Sequence, residues 1–129
     1  MAHIILADDD ELLCDLVKFK LTAAGHRVQI VTDGQKALEA ISEAMPDLLI
    51  LDSMMPVLSG PQLLARLKAS PATSVIPVIM LTARKSRDDV IGALGAGADD
   101  YITKPFIPEE FNLRVSAVLR KHKVVDVAL

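Results

Sequence analysis

The chain has little of what secreted, membrane-spanning and nucleic-acid-binding proteins use most. Its single cysteine, Cys14, excludes a disulfide framework. Tryptophan is absent and aromatic residues make up only 3% of the 129 residues, so an aromatic surface for stacking bases is not expected. No apolar run is long enough to span a bilayer, and the N-terminus lacks the charged head and long apolar stretch of a signal peptide. We therefore expect a cytoplasmic protein that contacts neither membranes nor nucleic acid directly.

The rest of the composition is that of one globular domain. Hydrophobic residues make up 51% of the chain and charged residues 24%, and the formal net charge is -3. A chain of this size hides roughly two thirds of its unfolded surface on folding, so it needs neither disulfides nor a structural metal. We expect a single domain over residues 1–123, followed by a short apolar tail over residues 124–129.

Short apolar runs alternate along the chain with segments of helical spacing. The runs predict five strands, at His3–Ala7, Arg27–Thr32, Leu48–Leu51, Ile76–Leu81 and Ala98–Thr103. The first two helices are predicted to bury the stripes Leu13, Leu16, Val17, Lys20, Leu21, Ala24 and Ala37, Leu38, Ile41, Met45. Gly25 closes the first helix and Asp33 caps the second. Further helices are expected at about Pro61–Ala69, Ser86–Leu94 and Pro108–His122, the fourth with a capping box of Ser86 and Asp89.

The alternation of strand and helix predicts an α/β fold with a doubly wound parallel sheet of five strands. Two of the strands, Leu48–Leu51 and Val78–Leu81, are continuous apolar runs, which is typical of strands covered by helices on both faces. In such sheets, polar residues that directly follow the strands meet at one edge, where ligands bind.

Four of the five predicted strands bring polar residues to that edge. These residues are Asp8, Asp9, Asp52, Thr82 and Lys104. Two carboxylates about 4 Å apart repel each other by ~4 kcal/mol at an effective dielectric constant near 20, so three of them require a compensating cation. Mg²⁺ prefers oxygen ligands of this kind, while a lysine and a threonine hydroxyl bind anionic oxygens. The set therefore indicates a magnesium-dependent phosphoryl site.

Each of these residues also has a purely structural interpretation. Asp8 and Asp9 fit a solvated turn, Thr82 a strand end, and Lys104 an ordinary surface lysine. Asp52 is harder to explain in this way, because it ends a run of four apolar residues where an unpaired charge is costly. The joint occurrence at successive strand ends favours the functional interpretation.

Four motifs in order give the chain a specific family resemblance. They are Ile4-Ile5-Leu6-Ala7-Asp8-Asp9-Asp10, Pro46-Asp47-Leu48-Leu49-Ile50-Leu51-Asp52-Ser53-Met54-Met55-Pro56, Val78-Ile79-Met80-Leu81-Thr82-Ala83 and Gly97-Ala98-Asp99-Asp100-Tyr101-Ile102-Thr103-Lys104-Pro105-Phe106. Over residues 3–123 the chain resembles the receiver domain of bacterial two-component response regulators. The resemblance implies a flavodoxin-like (βα)5 fold with strand order 2-1-3-4-5.

The resemblance also implies roles for individual residues. Asp52 would accept a phosphoryl group from a partner histidine kinase or phosphotransfer protein, and the protein itself would be a switch rather than an enzyme. Asp9 would bind Mg²⁺ directly and Asp8 through water, and Asp52 and the backbone oxygen of Met54 would complete the protein's ligands. The residues expected to hold the phosphoryl oxygens are Thr82, the amide of Ala83 and Lys104, the last preceding a cis proline.

The output face of such a domain is formed by its fourth helix, fifth strand and fifth helix. By resemblance, Tyr101 would turn inward after phosphorylation and change this face. The segment resembles receivers attached to winged-helix transcription factors, which dimerise through charge pairs there, and Asp100 with Arg114 and Asp99 with Lys121 are candidates. Val90 stands where that subfamily usually has arginine, which argues against a phosphorylation-dependent homodimer.

Other readings remain open from the sequence. A degenerate receiver that only binds proteins lacks part of the acidic set, whereas this chain has all of it. An aspartate-nucleophile phosphatase needs a second acid two residues after the first, where this chain has Met54. The chain is either a stand-alone receiver acting on a target protein, which its short apolar tail favours, or the receiver fragment of a longer regulator with an output domain.

Overall fold

The computed structural model describes the backbone of residues 1–127 and the side chains of residues 1–122. Five strands and five helices alternate along these residues. The strands are β1 His3–Ala7, β2 Arg27–Val31, β3 Leu48–Leu51, β4 Val78–Thr82 and β5 Asp100–Thr103. The helices are α1 Glu11–Ala23, α2 Gly34–Glu43, α3 Gly60–Ala69, α4 Arg87–Gly95 and α5 Pro108–Val127. None of the described helices is both long and apolar enough to cross a membrane.

All five strands form one parallel sheet in the order β2-β1-β3-β4-β5. The predicted flavodoxin-like topology is therefore confirmed. β3 and β4, the two continuous apolar runs, are buried along their whole length and lie next to each other in the sheet. Their position follows from composition, because strands without polar alternation are stable only where helices cover both faces.

Helices cover the sheet on both sides and enclose two cores. One core packs α2 and α3 against the sheet, and it contains Ile41, Leu64 and Leu67. The other packs α1 and α5 against the opposite face, with Val17, Leu21 and the fully buried Phe111. α4 contributes no buried residue to either core.

Several local predictions need correction. Leu16 lies outside the buried stripe of α1 with 43% of its surface exposed, and Cys14 takes its place in the core. Met45 is half exposed because α2 ends two residues before it. Asp89 accepts from the hydroxyl of Ser86, so the pair caps α4 without the second backbone contact of a full capping box. α5 continues to Val127, past its predicted end, and residues 128–129 of the predicted tail lie outside the described residues.

Two helix N-termini approach the polypeptide that follows β3 so closely that only glycine fits. A Cβ on Gly60 would collide with the carbonyl oxygen of Asp52, and a Cβ on Gly34 would collide with that of Leu58. The loop between β3 and α3 is therefore packed directly beneath two helix starts. Ser59 and Gln62 add a reciprocal capping box to α3, which the sequence analysis had not predicted.

We expect Gly34→Ala to destabilise the domain, because its new methyl group meets backbone atoms that cannot move aside. The loss in the free energy of unfolding should be about 1–3 kcal/mol, as for other overpacked sites. Gly92→Ala is the matched control: its Cβ would meet nothing within 4 Å, and it should stabilise α4 by up to about 1 kcal/mol. Urea unfolding of both variants measures the difference, and equal effects would contradict the packing argument.

Candidate functional site

The predicted polar residues meet at the carboxyl edge of the sheet. Asp8 and Asp9 follow β1, Asp52 follows β3, Thr82 ends β4, and Lys104 follows β5. Carboxylate oxygens of the three aspartates lie within 4.8 Å of one another. Because β1 and β3 are neighbours in the sheet, the acids are brought together by the backbone rather than by long side chains.

Lys104 supplies the positive charge of the cluster. Its Nζ donates a hydrogen bond to Asp8 Oδ2 at 2.7 Å and lies 3.6 Å from Asp52 Oδ2. The side chains of both aspartates are at least nine-tenths buried. The peptide bond between Lys104 and Pro105 is cis, as the resemblance implied. The lysine therefore bridges two acids and is held more closely by Asp8, a partner that the sequence had not singled out.

Asp8 is the most confined of the three acids. Its Oδ1 accepts from the backbone N–H of Asp10 at 2.9 Å, and its carbonyl oxygen accepts from the thiol of Cys14 at 3.4 Å. Burial raises the pKa of Asp8 above its usual value, although the hydrogen bond from Lys104 opposes the shift. Burial also works against the charge of Lys104, yet its hydrogen bond to Asp8 raises the pKa of the lysine overall. Burial and the nearby charge of Asp8 raise the pKa of Cys14 to about 11, so this thiol stays protonated.

An open cleft of about 410 Å³ lies beside the acids. It is lined by Asp9, Ser53, Met54, Met55, Ser59 and Arg84. Asp9 is exposed while Asp8 and Asp52 are buried, so the cleft gives solvent access to the cluster through Asp9. Met54, predicted as a metal ligand through its backbone oxygen, lines the same cleft, and its side chain is mostly exposed.

Thr82 and Tyr101 connect this site to the face formed by α4, β5 and α5. Thr82 is buried, and its hydroxyl oxygen accepts from the N–H of Arg84 at 3.2 Å. The hydroxyl of Tyr101 donates to the carbonyl oxygen of Arg84 at 2.6 Å, and its partly buried side chain packs against the core. Thr82 and Tyr101, the two residues expected to move on phosphorylation, therefore both hold the loop between β4 and α4 through Arg84.

The acidic residues at the start of β5 find partners within the same chain. Arg114 donates to both oxygens of Asp100 at 3.0 Å and also to Glu110. Asp99 lies 3.1 Å from His122, whereas Lys121, its expected partner in a dimer, is exposed. These contacts fasten α5 to β5 in the single chain.

Some residues at the site escaped the sequence analysis. Ser53 is buried next to Asp52, and its carbonyl oxygen accepts from the N–H of Gly60. Val57 has a φ of 70°, which is unfavourable for a β-branched residue. The spacing of Ser59 and Gln62 is typical of a capping box and could have predicted it. The positive φ of Val57, in contrast, has no signal in the sequence.

Comparison with known proteins agrees with the fold and the site. The sequence model of the response regulator receiver domain matches residues 4–116. The phosphate regulon transcriptional regulatory protein PhoB of Rhizobium meliloti is 42% identical over 95% of this chain, and the regulator RpaA of a Synechocystis strain is 43% identical over 94%. The receiver domain of the Francisella response regulator 1452 superposes with a TM-score of 0.87 at 34% identity, covering 94% of this chain and 98% of its own.

The chain belongs to the response regulator receiver domain family. It is a receiver domain homologous to two-component regulators such as PhoB, and the acidic pocket of Asp8, Asp9 and Asp52 is present in it. The chain spans about half the length of these curated relatives, 54% of the first and 50% of the second. Receiver domains act as signalling switches, and the three acids form a group able to hold a metal ion.

We expect Lys104→Met to destabilise the domain when divalent cations are chelated. Methionine keeps the length of the side chain but leaves Asp8 and Asp52 buried without their cation, which costs about 3 kcal/mol or more. Adding Mg²⁺ should restore more stability to this variant than to the parent protein. Urea unfolding with and without Mg²⁺ measures both effects; the exposed Lys36→Met is the control, and a Lys104 variant as stable as the parent would refute the expectation.

The raised pKa of Asp8 predicts a pH dependence of stability. Between the ordinary pKa of an aspartate, 3.8, and the higher pKa of Asp8 in the folded protein, the folded protein holds a proton that the unfolded chain has released, so stability falls as pH rises through that window. Asp8→Asn should remove this contribution. Unfolding free energies of parent and variant, measured in chelator across that window, should diverge; parallel curves would contradict the assignment.

Proposed function

We propose that this domain is a phosphorylation switch in which Asp52 accepts a phosphoryl group from the phosphohistidine of a sensor kinase or phosphotransfer protein, and that its role is signalling rather than turnover of a substrate. The observation that carries the proposal is the cluster of three carboxylates with Lys104 at 2.7 Å from Asp8 and 3.6 Å from Asp52. The domain would act in the cytoplasm, where its one free thiol at Cys14 suits a reducing environment.

The donor set fits a hard divalent cation. Three carboxylates share one lysine, so the cluster keeps a net negative charge, and its ligands are oxygens. We assign Asp8, Asp9 and Asp52, with the backbone oxygen of Met54 at the cleft, as the residues that would hold Mg²⁺. The bound ion would supply positive charge against the phosphoryl oxygens during transfer.

The transfer itself would be carried by the side chains of the chain. A carboxylate oxygen of Asp52 attacks phosphorus, a P–O bond forms, and the P–N bond of phosphohistidine breaks with its electron pair going to the imidazole nitrogen. Lys104 would shift from Asp8 toward the new phosphoryl oxygens, since it already lies 3.6 Å from Asp52. Thr82 and the amide of Ala83 would donate to the remaining oxygens.

The output would pass through the face of α4, β5 and α5. If the hydroxyl of Thr82 turns to the phosphoryl group, its contact with Arg84 is lost, and Arg84 is also the residue that anchors Tyr101. α4 is well suited to respond, because it buries no residue and contains Gly92 and Gly95. A downstream target protein or an attached output domain would bind the changed face. A second copy of the domain, forming a phosphorylation-dependent homodimer, is an alternative partner for this face.

The complete acidic set distinguishes this function from a receiver that only binds proteins. A receiver that only binds proteins gains nothing from burying Asp8 and Asp52 around Lys104, and burying such groups is costly. The exposed Met54 occupies the place where a phosphatase of the aspartate-nucleophile type needs its second acid.

We expect one phosphoryl group to be added when the domain is incubated with Mg²⁺ and acetyl phosphate, as measured by intact-protein mass. Asp52→Asn should abolish the addition, because the attacking carboxylate is gone. Lys104→Ala or chelation of Mg²⁺ should reduce it strongly. Asp15→Asn, an exposed acid on α1, is the matched control and should be labelled as the parent is. Undiminished labelling of Asp52→Asn would reject the assigned acceptor.

A further inference from the structure

The open edge of the sheet at β2 carries a second cleft that the phosphoryl site does not use. It has a volume of about 540 Å³, larger than the cleft beside the acids. Its lining includes Lys18 of α1, Arg27 and Gln29 of β2, and the strand residues Val28 and Ile30. β2 is an edge strand, paired only with β1.

The backbone of β2 offers unpaired hydrogen-bonding groups to this cleft. The N–H of Arg27 donates to Ala2 at 2.9 Å, and the carbonyl oxygen of Val31 accepts from Asp8 at 3.0 Å, so the odd-numbered residues of the strand face β1. Alternation along a strand then turns the N–H and C=O groups of Val28 and Ile30 outward, away from the sheet. These four groups form one side of a ladder that an additional strand would complete.

The charge of the cleft favours one kind of strand. Lys18 and Arg27 are exposed, and neither forms an ion pair within the part of the chain that the structure describes. No acidic residue lines the cleft among residues 1–122, although the chain as a whole has a net charge of -3. Edge-to-edge pairing of two copies would bring two further cations to the same seam and, among the residues that line the cleft, no carboxylate to pair with them.

From this geometry we infer that the β2 edge is a docking site for an extended acidic peptide segment of another protein, which adds as a sixth strand beside β2. The outward backbone groups of Val28 and Ile30 bind its main chain, and Lys18 and Arg27 bind its carboxylates. Strand addition of this kind takes its affinity from main-chain hydrogen bonds and its selectivity from side chains along the edge. The site lies apart from Asp52, so the inference does not rest on the proposed phosphorylation.

The first test uses a labelled peptide of about eight residues in which glutamate alternates with valine, a pattern that favours an extended strand. Fluorescence anisotropy measures its binding to the full chain, and amide NMR spectra locate the contact. We expect shifts at the Val28 and Ile30 amides. The lysine-for-glutamate peptide should bind about tenfold more weakly or worse, and so should the acidic peptide to the Lys18→Glu, Arg27→Glu double variant.

A second test separates strand addition from simple attraction of charge. Val28→Pro removes an outward N–H while the hydrogen bonds of β2 to β1 remain, a position where edge strands tolerate proline. We expect it to lose peptide binding but to keep acetyl phosphate labelling. Should the variant unfold, an acidic peptide N-methylated on every residue, which has no backbone N–H to donate along either edge, gives the same test on the parent protein and should not bind.

Three results would overturn the inference. The first is that the acidic peptide fails to bind, in which case Lys18 and Arg27 serve only to prevent pairing at the sheet edge. The second is that the N-methylated peptide binds as well as the unmodified one. The third is that inorganic pyrophosphate competes fully at the same amides, which would make the cleft a site for phosphate anions.

Discussion

The rest of this structure depends on how the charges of three neighbouring carboxylates are balanced. Two carboxylates about 4 Å apart repel each other by ~4 kcal/mol at an effective dielectric constant near 20, and burial of Asp8 and Asp52 adds a desolvation cost. Lys104 offsets part of this cost but touches only two of the acids. The cluster is therefore short of positive charge, and this deficit is the physical basis for the proposed binding of a cation and leaves one carboxylate incompletely paired.

The fold allows this unfavourable cluster because the surrounding packing holds it in place. β1 and β3 are central strands that are buried except at His3, so the segments that follow them have no freedom to separate the acids. Asp10 caps α1 and its N–H also binds Asp8, so a helix start and the acidic site share one turn. The loop after Asp52 is fixed by its contact with Gly60. The cleft beside Asp9 stays open to solvent.

The sequence predicted the sheet and the members of the site but not their pairing. Strand bounds at His3–Ala7 and Leu48–Leu51 are confirmed because continuous apolar runs between charged residues have few alternatives as strands. Leu16 was placed wrongly because helical spacing alone cannot distinguish two stripes separated by a small rotation. The preference of Lys104 for Asp8 over Asp52 is a difference between distances of 2.7 and 3.6 Å to acids that lie far away in the sequence, and no local pattern encodes it.

An acidic region and a basic region lie at different ends of the sheet: the aspartate cluster, and the cleft lined by Lys18 and Arg27. Asp8 follows the carboxyl end of β1, whereas Arg27 begins β2 opposite His3, five residues earlier in the register. At about 3.3 Å per residue these levels are roughly 16 Å apart, which is twice the screening length of about 8 Å at physiological salt. A phosphoryl charge on Asp52, as proposed above, would therefore act only weakly through solvent on Lys18 and Arg27. Coupling between the two regions would have to travel through packed elements: α1 joins the cap at Asp10 to the cleft at Lys18, and β2, whose Val31 accepts from the N–H of Asp8, also lines that cleft.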